Sequence, residues 1–428
     1  MTFSIIILGG GLAGLSYAYG QLRKANNSVT IIEKNDTVGG LMRTFNLSGF
    51  LFDFGPHIFR SKDERILNFV KDLLHNDYLR VPSNPAIFKY RKFFDNVIPS
   101  ITYRSIERLP SKIKEKVERE LKDSNSRKLC LTNFEECIRS QVGETLYWEF
   151  FGEYTKKFWG IDPKNLSPDL APKNLTISEE KSYAHITTDF EKPSEEIYPT
   201  TGGIFKIVKK LEDKIRATKN PIFTSSNIKK LEVDGDEIAK IIIEKDMDEI
   251  EISTSRKLVV STIPLTLLCK MLGMEINLSY RGDICIFLRL KGNKMLNFSW
   301  VYFHDHDIAF SRIHEPIYYS MYNVPNGYTS LCVEVTSFEN DANWKDKYLG
   351  ERVVEQLIDL GIIKKSQEPE ILAIEKYAYA YPIYTVDYKK KLEEVFNKLK
   401  FFKNLKVIGR TGSFSYLNMW ECLKWAVY

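Results

Sequence analysis

The residues Gly9-Gly10-Gly11-Leu12-Ala13-Gly14 follow an apolar run, Ile5 to Leu8, and an acid, Glu33, closes a second apolar run, Val29 to Ile32. Binding of a dinucleotide is the chemistry that this spacing serves. Gly9 permits a tight turn out of the first strand, Gly11 lets the backbone approach a pyrophosphate, and Gly14 lets the following helix pack on the sheet, with free helix N–H groups turned to the phosphates. Glu33 falls about 20 residues past the last glycine, where a carboxylate accepts hydrogen bonds from a ribose. A glycine-rich turn alone also serves plain strand-to-helix packing. The strand, helix, strand and acid in sequence select the dinucleotide.

Two further segments follow the acid: Gly39-Gly40-Leu41-Met42-Arg43-Thr44 and Phe52-Asp53-Phe54-Gly55-Pro56-His57. FAD lies extended through the proteins that bind it, so a second close backbone approach suits FAD better than NAD. Three more segments hold chemistry-bearing residues in dense order. They are Tyr154-Thr155-Lys156-Lys157-Phe158-Trp159-Gly160-Ile161-Asp162-Pro163, then Tyr381-Pro382-Ile383-Tyr384-Thr385, and the tail Gly409-Arg410-Thr411-Gly412-Ser413-Phe414-Ser415-Tyr416-Leu417-Asn418-Met419.

Together these motifs resemble the glutathione-reductase-like FAD fold of the superfamily of amine oxidases, protoporphyrinogen oxidases, phytoene desaturases and UDP-galactopyranose mutases. The tail and the Tyr-Pro-Ile segment resemble the mutase members in both spacing and residue type. The resemblance implies FAD as cofactor, held by Gly9, Gly11, Gly14, Glu33, Lys34, Gly39, Gly40, Arg43, Pro56, His57, Gly409, Asn418 and Met419. It implies a reduced flavin whose N5 attacks the anomeric carbon of a nucleotide sugar and expels UDP, with NAD(P)H as a candidate reductant. Charge that develops on the departing diphosphate calls for a cation and hydroxyl donors. By the resemblance Arg410 is that cation and Tyr381 and Tyr416 are the donors. His57 shapes the flavin environment, and Trp159 and Lys173 join Tyr381, Arg410 and Tyr416 around the substrate.

Each of these residues has a plainer competing role. Arg410 would serve as a phosphate contact of FAD, Tyr381 and Tyr416 as aromatic packing, His57 as a partner of a backbone carbonyl in its turn, and Trp159 as core. His304-Asp305-His306-Asp307 has metal-ligand residue types, but between strands it reads as a polar turn, and no metal is expected. The mutase pattern also breaks in places. Leu41-Met42-Arg43-Thr44 is closer to the desaturases and oxidases, Arg60 stands where mutases carry a second histidine, and Asp169-Leu170-Ala171-Pro172-Lys173-Asn174 offers a lysine in place of a loop arginine. Two function classes therefore stand: a redox-neutral nucleotide-sugar mutase, and a net oxidoreductase of the amine oxidase or protoporphyrinogen oxidase type.

The elements that must position these residues are legible in the apolar periodicity. Helical spacing in Arg65 to Leu74, Ile106 to Leu121 and Phe134 to Phe151 predicts a helical insert over 66–194. Strands are expected at Ile228 to Val233, Ile238 to Glu244, Ile250 to Thr254 and Lys257 to Thr262, then at Ile284 to Leu290, Trp300 to Phe303, Ile317 to Tyr322 and Tyr328 to Thr336. The expected fold is α/β. A discontinuous FAD-binding Rossmann domain takes 1–65, 195–265 and 370–428, and an antiparallel substrate sheet takes 266–369. With 428 residues and 43% hydrophobic content the chain can bury more than one core. The net charge of +5 suits an anionic cofactor or substrate and is too diffuse for nucleic acid. No Lys or Arg precedes the apolar Ile5 to Gly20, so neither a signal peptide nor a membrane span is expected and the mature chain is expected to begin at Met1. The six cysteines form no C-x-x-C pair, which fits a reducing cytoplasm.

Overall fold

The computed structural model describes residues 4–24, 27–95, 106–122, 130–171 and 195–428. Its first layer is a parallel sheet in the order Ile222–Phe223, Ser28–Ile32, Ser4–Leu8, Lys257–Ser261, Leu405–Val407. Central parallel strands are covered on both faces, which explains why Ile5 to Leu8 is a continuous apolar run rather than an alternating one. The helix Leu12–Leu22 covers one face together with Phe205–Ala217 and the closing helix Met419–Val427. Gly20 makes that closure feasible. A Cβ at Gly20 would stand 1.8 Å from the Trp425 carbonyl oxygen, so the first and last helices approach to backbone contact. A meander of three antiparallel strands, Asn227–Asp234, Glu237–Lys245 and Asp248–Ser253, leads back into the parallel sheet.

The second sheet has seven strands in the order Glu370–Pro382, Tyr280–Lys291, Tyr328–Ser337, Arg312–His314, Trp300–Phe303, Pro85–Lys89, Lys92–Asp95. Ile284, Ile286, Leu288 and Leu290 turn to one face, where the helix Leu349–Asp359 packs on them. Cys285 and Phe287 turn to the other face and meet Phe50, Phe52 and Phe54. Because both faces are covered, this strand too reads as an apolar run.

The domain boundaries differ from those expected. The helix Glu64–Leu73 buries Ile66, Leu67, Val70 and Leu73 in the core of the parallel-sheet layer, not in the insert. Pro85–Lys89 and Lys92–Asp95 are strands of the second sheet, since a five-residue apolar run is too short for a stable helix and finds an open sheet edge. Pro85–Lys89 runs parallel to Trp300–Phe303, so the sheet is mixed rather than wholly antiparallel. Glu370–Pro382 belongs to this sheet as well, which moves the return to the parallel-sheet layer past 382. Ile317 to Tyr322 is not a strand: Pro316 lacks an N–H to donate and opens a 3₁₀ turn, a second follows at Met321–Asn323, and Arg312–His314 takes the sheet position instead. The helices Ser111–Lys122, Phe134–Val142 and Glu153–Trp159 share a further core, with Phe134, Leu146, Phe150 and Trp159 buried in it beside Ile87 and Phe94 of the second sheet. Among the described residues no helix is long and apolar enough to cross a membrane.

Candidate active site

The glycines of the first turn are required for two different reasons. Gly9 has φ +101° and a Cβ there would lie 2.5 Å from Thr262 Oγ1, while a Cβ on Gly14 would lie 2.2 Å from the Gly9 carbonyl oxygen. Protein atoms alone exclude side chains at both. Gly11 differs: its Cβ position has no protein atom within 4 Å, and it lines a cavity of about 370 Å³. Only a group entering that cavity would meet a side chain there. The second glycine pair docks on the first. The Gly39 N–H donates to the Gly10 carbonyl at 2.9 Å, and Gly39 and Gly40 have φ of +120° and +56°.

Glu33 is buried on the same cavity wall. Its Oε2 accepts from the Gly10 N–H at 2.8 Å and its Oε1 from the Asn35 N–H and Nδ2 at 3.0 and 2.9 Å, which leaves further lone pairs for a ribose. Lys34, Pro56, His57, Asn418 and Met419 line the cavity too. Gly14, Gly409 and Arg43 are not among its lining residues. Gly409, at φ +84°, lets the tail pass Ala13, whose Cβ would stand 2.8 Å from a Cβ at 409. The Arg43 guanidinium lies over the Phe45 ring at 4.9 Å.

A second cavity of about 490 Å³ opens beside the first, among the aromatic side chains of the helical core, including Phe150, Tyr154, Phe158 and Trp159. Arg312, Tyr416, Leu417 and Asn418 line both cavities. Tyr381 and Arg410 line the first cavity only, and Trp159 the second only, with its ring 6.2 Å from that of Tyr381. Lys173 lies outside the described residues. Arg410 is engaged by the chain itself: Nη1 donates to the Leu417 carbonyl at 2.9 Å, Nε and Nη2 to the Ala380 carbonyl at 3.4 Å, and its guanidinium covers the Tyr416 ring.

Arg312 is the junction residue that sequence reading missed. Its Nε donates to Glu334 Oε1 at 2.7 Å, its Nη2 bonds Glu334 Oε2, and Nη2 also reaches Tyr381 Oη at 3.3 Å. The signal that marks it is a charged side chain inside Phe310-Ser311-Arg312-Ile313-His314, where every neighbour is buried. Burial, with the Arg312 charge second and Arg410 also contributing, pushes the His57 imidazole down to about 4, against the bond of its Nδ1 with the Gly55 carbonyl at 3.1 Å. His57 is therefore neutral at physiological pH.

The family model described as flavin containing amine oxidoreductase matches residues 12–281. The chain belongs to that family. It is 31% identical over 109 residues to a 4,4'-diaponeurosporene oxygenase of Staphylococcus aureus, a match covering 25% of this chain and 21% of the relative. The match thus spans about a fifth of that protein's length. Among solved structures, a reduced UDP-galactopyranose mutase superposes with a TM-score of 0.82 at 22% identity, covering 100% of this chain and 93% of the other. A protein from Exiguobacterium sp. 255-15, provisionally assigned as a protoporphyrinogen oxidase, superposes with a TM-score of 0.75 at 15% identity, covering 99% of this chain and 97% of the other. At these identities both establish the fold.

Membership in the flavin-containing amine oxidoreductases brings a flavin cofactor, and the residues present fit one. The open Cβ position at Gly11, the fixed carboxylate of Glu33 and the capped helix start at Asn418 all face one cavity. Asn418 holds that helix start through Glu421 Oε2, which accepts from the Asn418 N–H at 2.8 Å and from its Nδ2 at 3.1 Å.

Proposed function

We propose that this family member binds FAD and, with the flavin reduced, interconverts ring forms of a nucleotide sugar. One observation carries the reading: Arg312 lies at the junction of the cofactor cavity and the aromatic cavity, a place where a diphosphate would join a sugar beside the flavin to a base among aromatic rings. Gly9, Gly11, Gly39 and Gly40 give the pyrophosphate of FAD its close approach, and Glu33 takes the ribose. Reduced FAD, when bound, supplies the nucleophile for the anomeric carbon. Arg312, held flat by Glu334, and the phenols of Tyr381 and Tyr416 stabilise the departing diphosphate. Arg410 positions the Tyr416 ring and the Asn418 turn and adds positive potential. His57 stays uncharged against the flavin, and Trp159 closes the aromatic wall against water. NAD(P)H is the proposed reductant, and a cytoplasmic location agrees with six free cysteines.

A second reading is a net oxidoreductase on an apolar substrate. The aromatic lining of the second cavity and the likeness to an oxygenase favour it. The two readings separate in an anaerobic experiment in which dithionite-reduced holoprotein is mixed with UDP-galactopyranose and the nucleotide sugars are resolved by chromatography. A furanose isomer formed without flavin oxidation supports the mutase. Absence of both isomer and UDP binding supports the oxidoreductase.

A further inference from the structure

Asp283 sits in the strand Tyr280–Lys291, which is buried without interruption from Tyr280 to Leu288. A carboxylic acid in such a strand needs a partner. Its direct neighbours across the sheet are Thr336 and Tyr377, and its diagonal neighbour on the same face is Glu334, which stands opposite Cys285. Asp283 is 2% exposed and Glu334 1%, so two carboxyls are buried on one face of adjacent strands. The guanidinium beside them is bonded to Glu334 and not to Asp283. Arg312 makes its two-point bond to Glu334, Asp283 Oδ1 has no partner, and Asp283 lines the cofactor cavity.

The other groups around Asp283 do not supply a second cation. Tyr381 and Cys332 reach it from the neighbouring strands, Cys285 and Arg281 from its own, and Arg281 is turned to Asp341 at 2.8 Å. Two buried carboxylates beside one guanidinium do not both hold a full charge. Burial first, and the Glu334 charge second, push the Asp283 carboxyl well above the usual carboxylate range.

We propose that Asp283 and Glu334 share one proton, and that Asp283 passes it to and from the hydroxyl oxygens of the nucleotide sugar during ring-size exchange. This step rests on the nucleotide-sugar reading above. When the first ring opens, the bond between its oxygen and the anomeric carbon breaks with the electron pair passing to oxygen, the nucleophile attached to that carbon donates a lone pair to it, the Asp283 O–H bond breaks, and the proton joins the oxygen. When a different hydroxyl closes the second ring, its oxygen bonds the anomeric carbon, the donated pair returns to the nucleophile, the hydroxyl O–H bond breaks, and the proton returns to Asp283. One proton leaves and one returns, so no oxidant or reductant is consumed. Arg312 stabilises the transient second carboxylate.

The test pairs infrared difference spectroscopy of the FAD-bound protein in H2O and D2O at neutral pH with turnover of UDP-galactopyranose. Relative to wild type, Asp283→Asn is expected to lose one protonated-carboxyl band and to turn over about a hundredfold more slowly, with FAD content and UDP affinity unchanged. Glu334→Gln is expected to lose the same band, because Asp283 then ionises against Arg312. A band that persists in Asp283→Asn overturns the shared proton, and wild-type turnover by Asp283→Asn overturns the transfer. If the wild-type protein itself forms no ring isomer, the nucleotide-sugar reading fails and the transfer falls with it, whereas the band then reports only where the proton resides.

Discussion

The guanidinium of Arg410 lies 3.9 Å from the centre of the Tyr416 ring while its Nη1 donates to the Leu417 carbonyl, so one side chain holds both an aromatic wall of the site and the turn into the helix at Met419. This arrangement makes Arg410 a positioning residue as well as a source of charge. Arg410→Met leaves the Ala380 and Leu417 carbonyls without their donor and is expected to cost about 2 kcal/mol, read as a lower unfolding midpoint of the FAD-bound protein. Tyr416→Phe keeps the ring under the guanidinium and should cost less than about 0.5 kcal/mol while still lowering turnover. Equal destabilisation by the two changes would show that the carbonyl bonds are not what Arg410 contributes.

Gly11→Val separates cofactor binding from folding. Its side chain meets no protein atom near its Cβ, so the apoprotein should unfold within about 1 kcal/mol of wild type while FAD uptake is lost. Gly14→Ala, whose Cβ would meet the Gly9 carbonyl oxygen, should instead destabilise the fold itself. A yellow Gly11→Val holoprotein would remove the pyrophosphate from this turn.

No replacement of Arg312 is expected to keep both stability and turnover at the wild-type level. Arg312→Met leaves Glu334 buried without its cation and should cost about 3–5 kcal/mol, measured by denaturant titration. Arg312→Lys keeps a charge but not the two-point geometry, and should retain FAD while losing at least about tenfold in turnover and in UDP affinity. Unchanged UDP affinity in Arg312→Lys would place the diphosphate elsewhere.

His57 predicts a pH dependence of stability. In the folded protein its ring takes a proton only below about 4, whereas the unfolded chain takes one below 6.5, so the unfolded state binds more protons between these values. The stability is fully present above 6.5 and is lost as pH falls to about 4. Because the ring keeps a face on the cavity, the loss is put at about 2 kcal/mol. His57→Gln should not show this component, and thermal unfolding of both proteins across that range gives the difference. Parallel curves would mean that His57 takes its proton at the same pH in the folded and unfolded states.

The glycine-rich turn and the elements that flank it were readable from residue order because their determinants are local. A strand, three glycines, a helix and an acid lie within the first 33 residues, and each obeys a short-range rule of backbone sterics or helix-end polarity. Residues 85–95 and 317–322 were misread for the opposite reason. Short apolar runs have no intrinsic preference strong enough to decide between helix, turn and strand, and an available sheet edge or a proline decided each case.

By itself, then, the sequence determined the glycine-rich turn, the second glycine pair, the acid at Glu33 and the tail that brings Arg410, Tyr416 and Asn418 to the cavity that Gly11 and Glu33 line. Tertiary structure alone decided which charges meet. Arg312, Glu334 and Asp283 lie far apart along the chain, and no local pattern pairs them. They converge because antiparallel register sets Arg312 against Glu334 and Glu334 against Cys285, two residues from Asp283, on the face that the cofactor layer then buries. Burial turns that register into chemistry, since removing water strengthens the ion pair and makes a second free carboxylate costly.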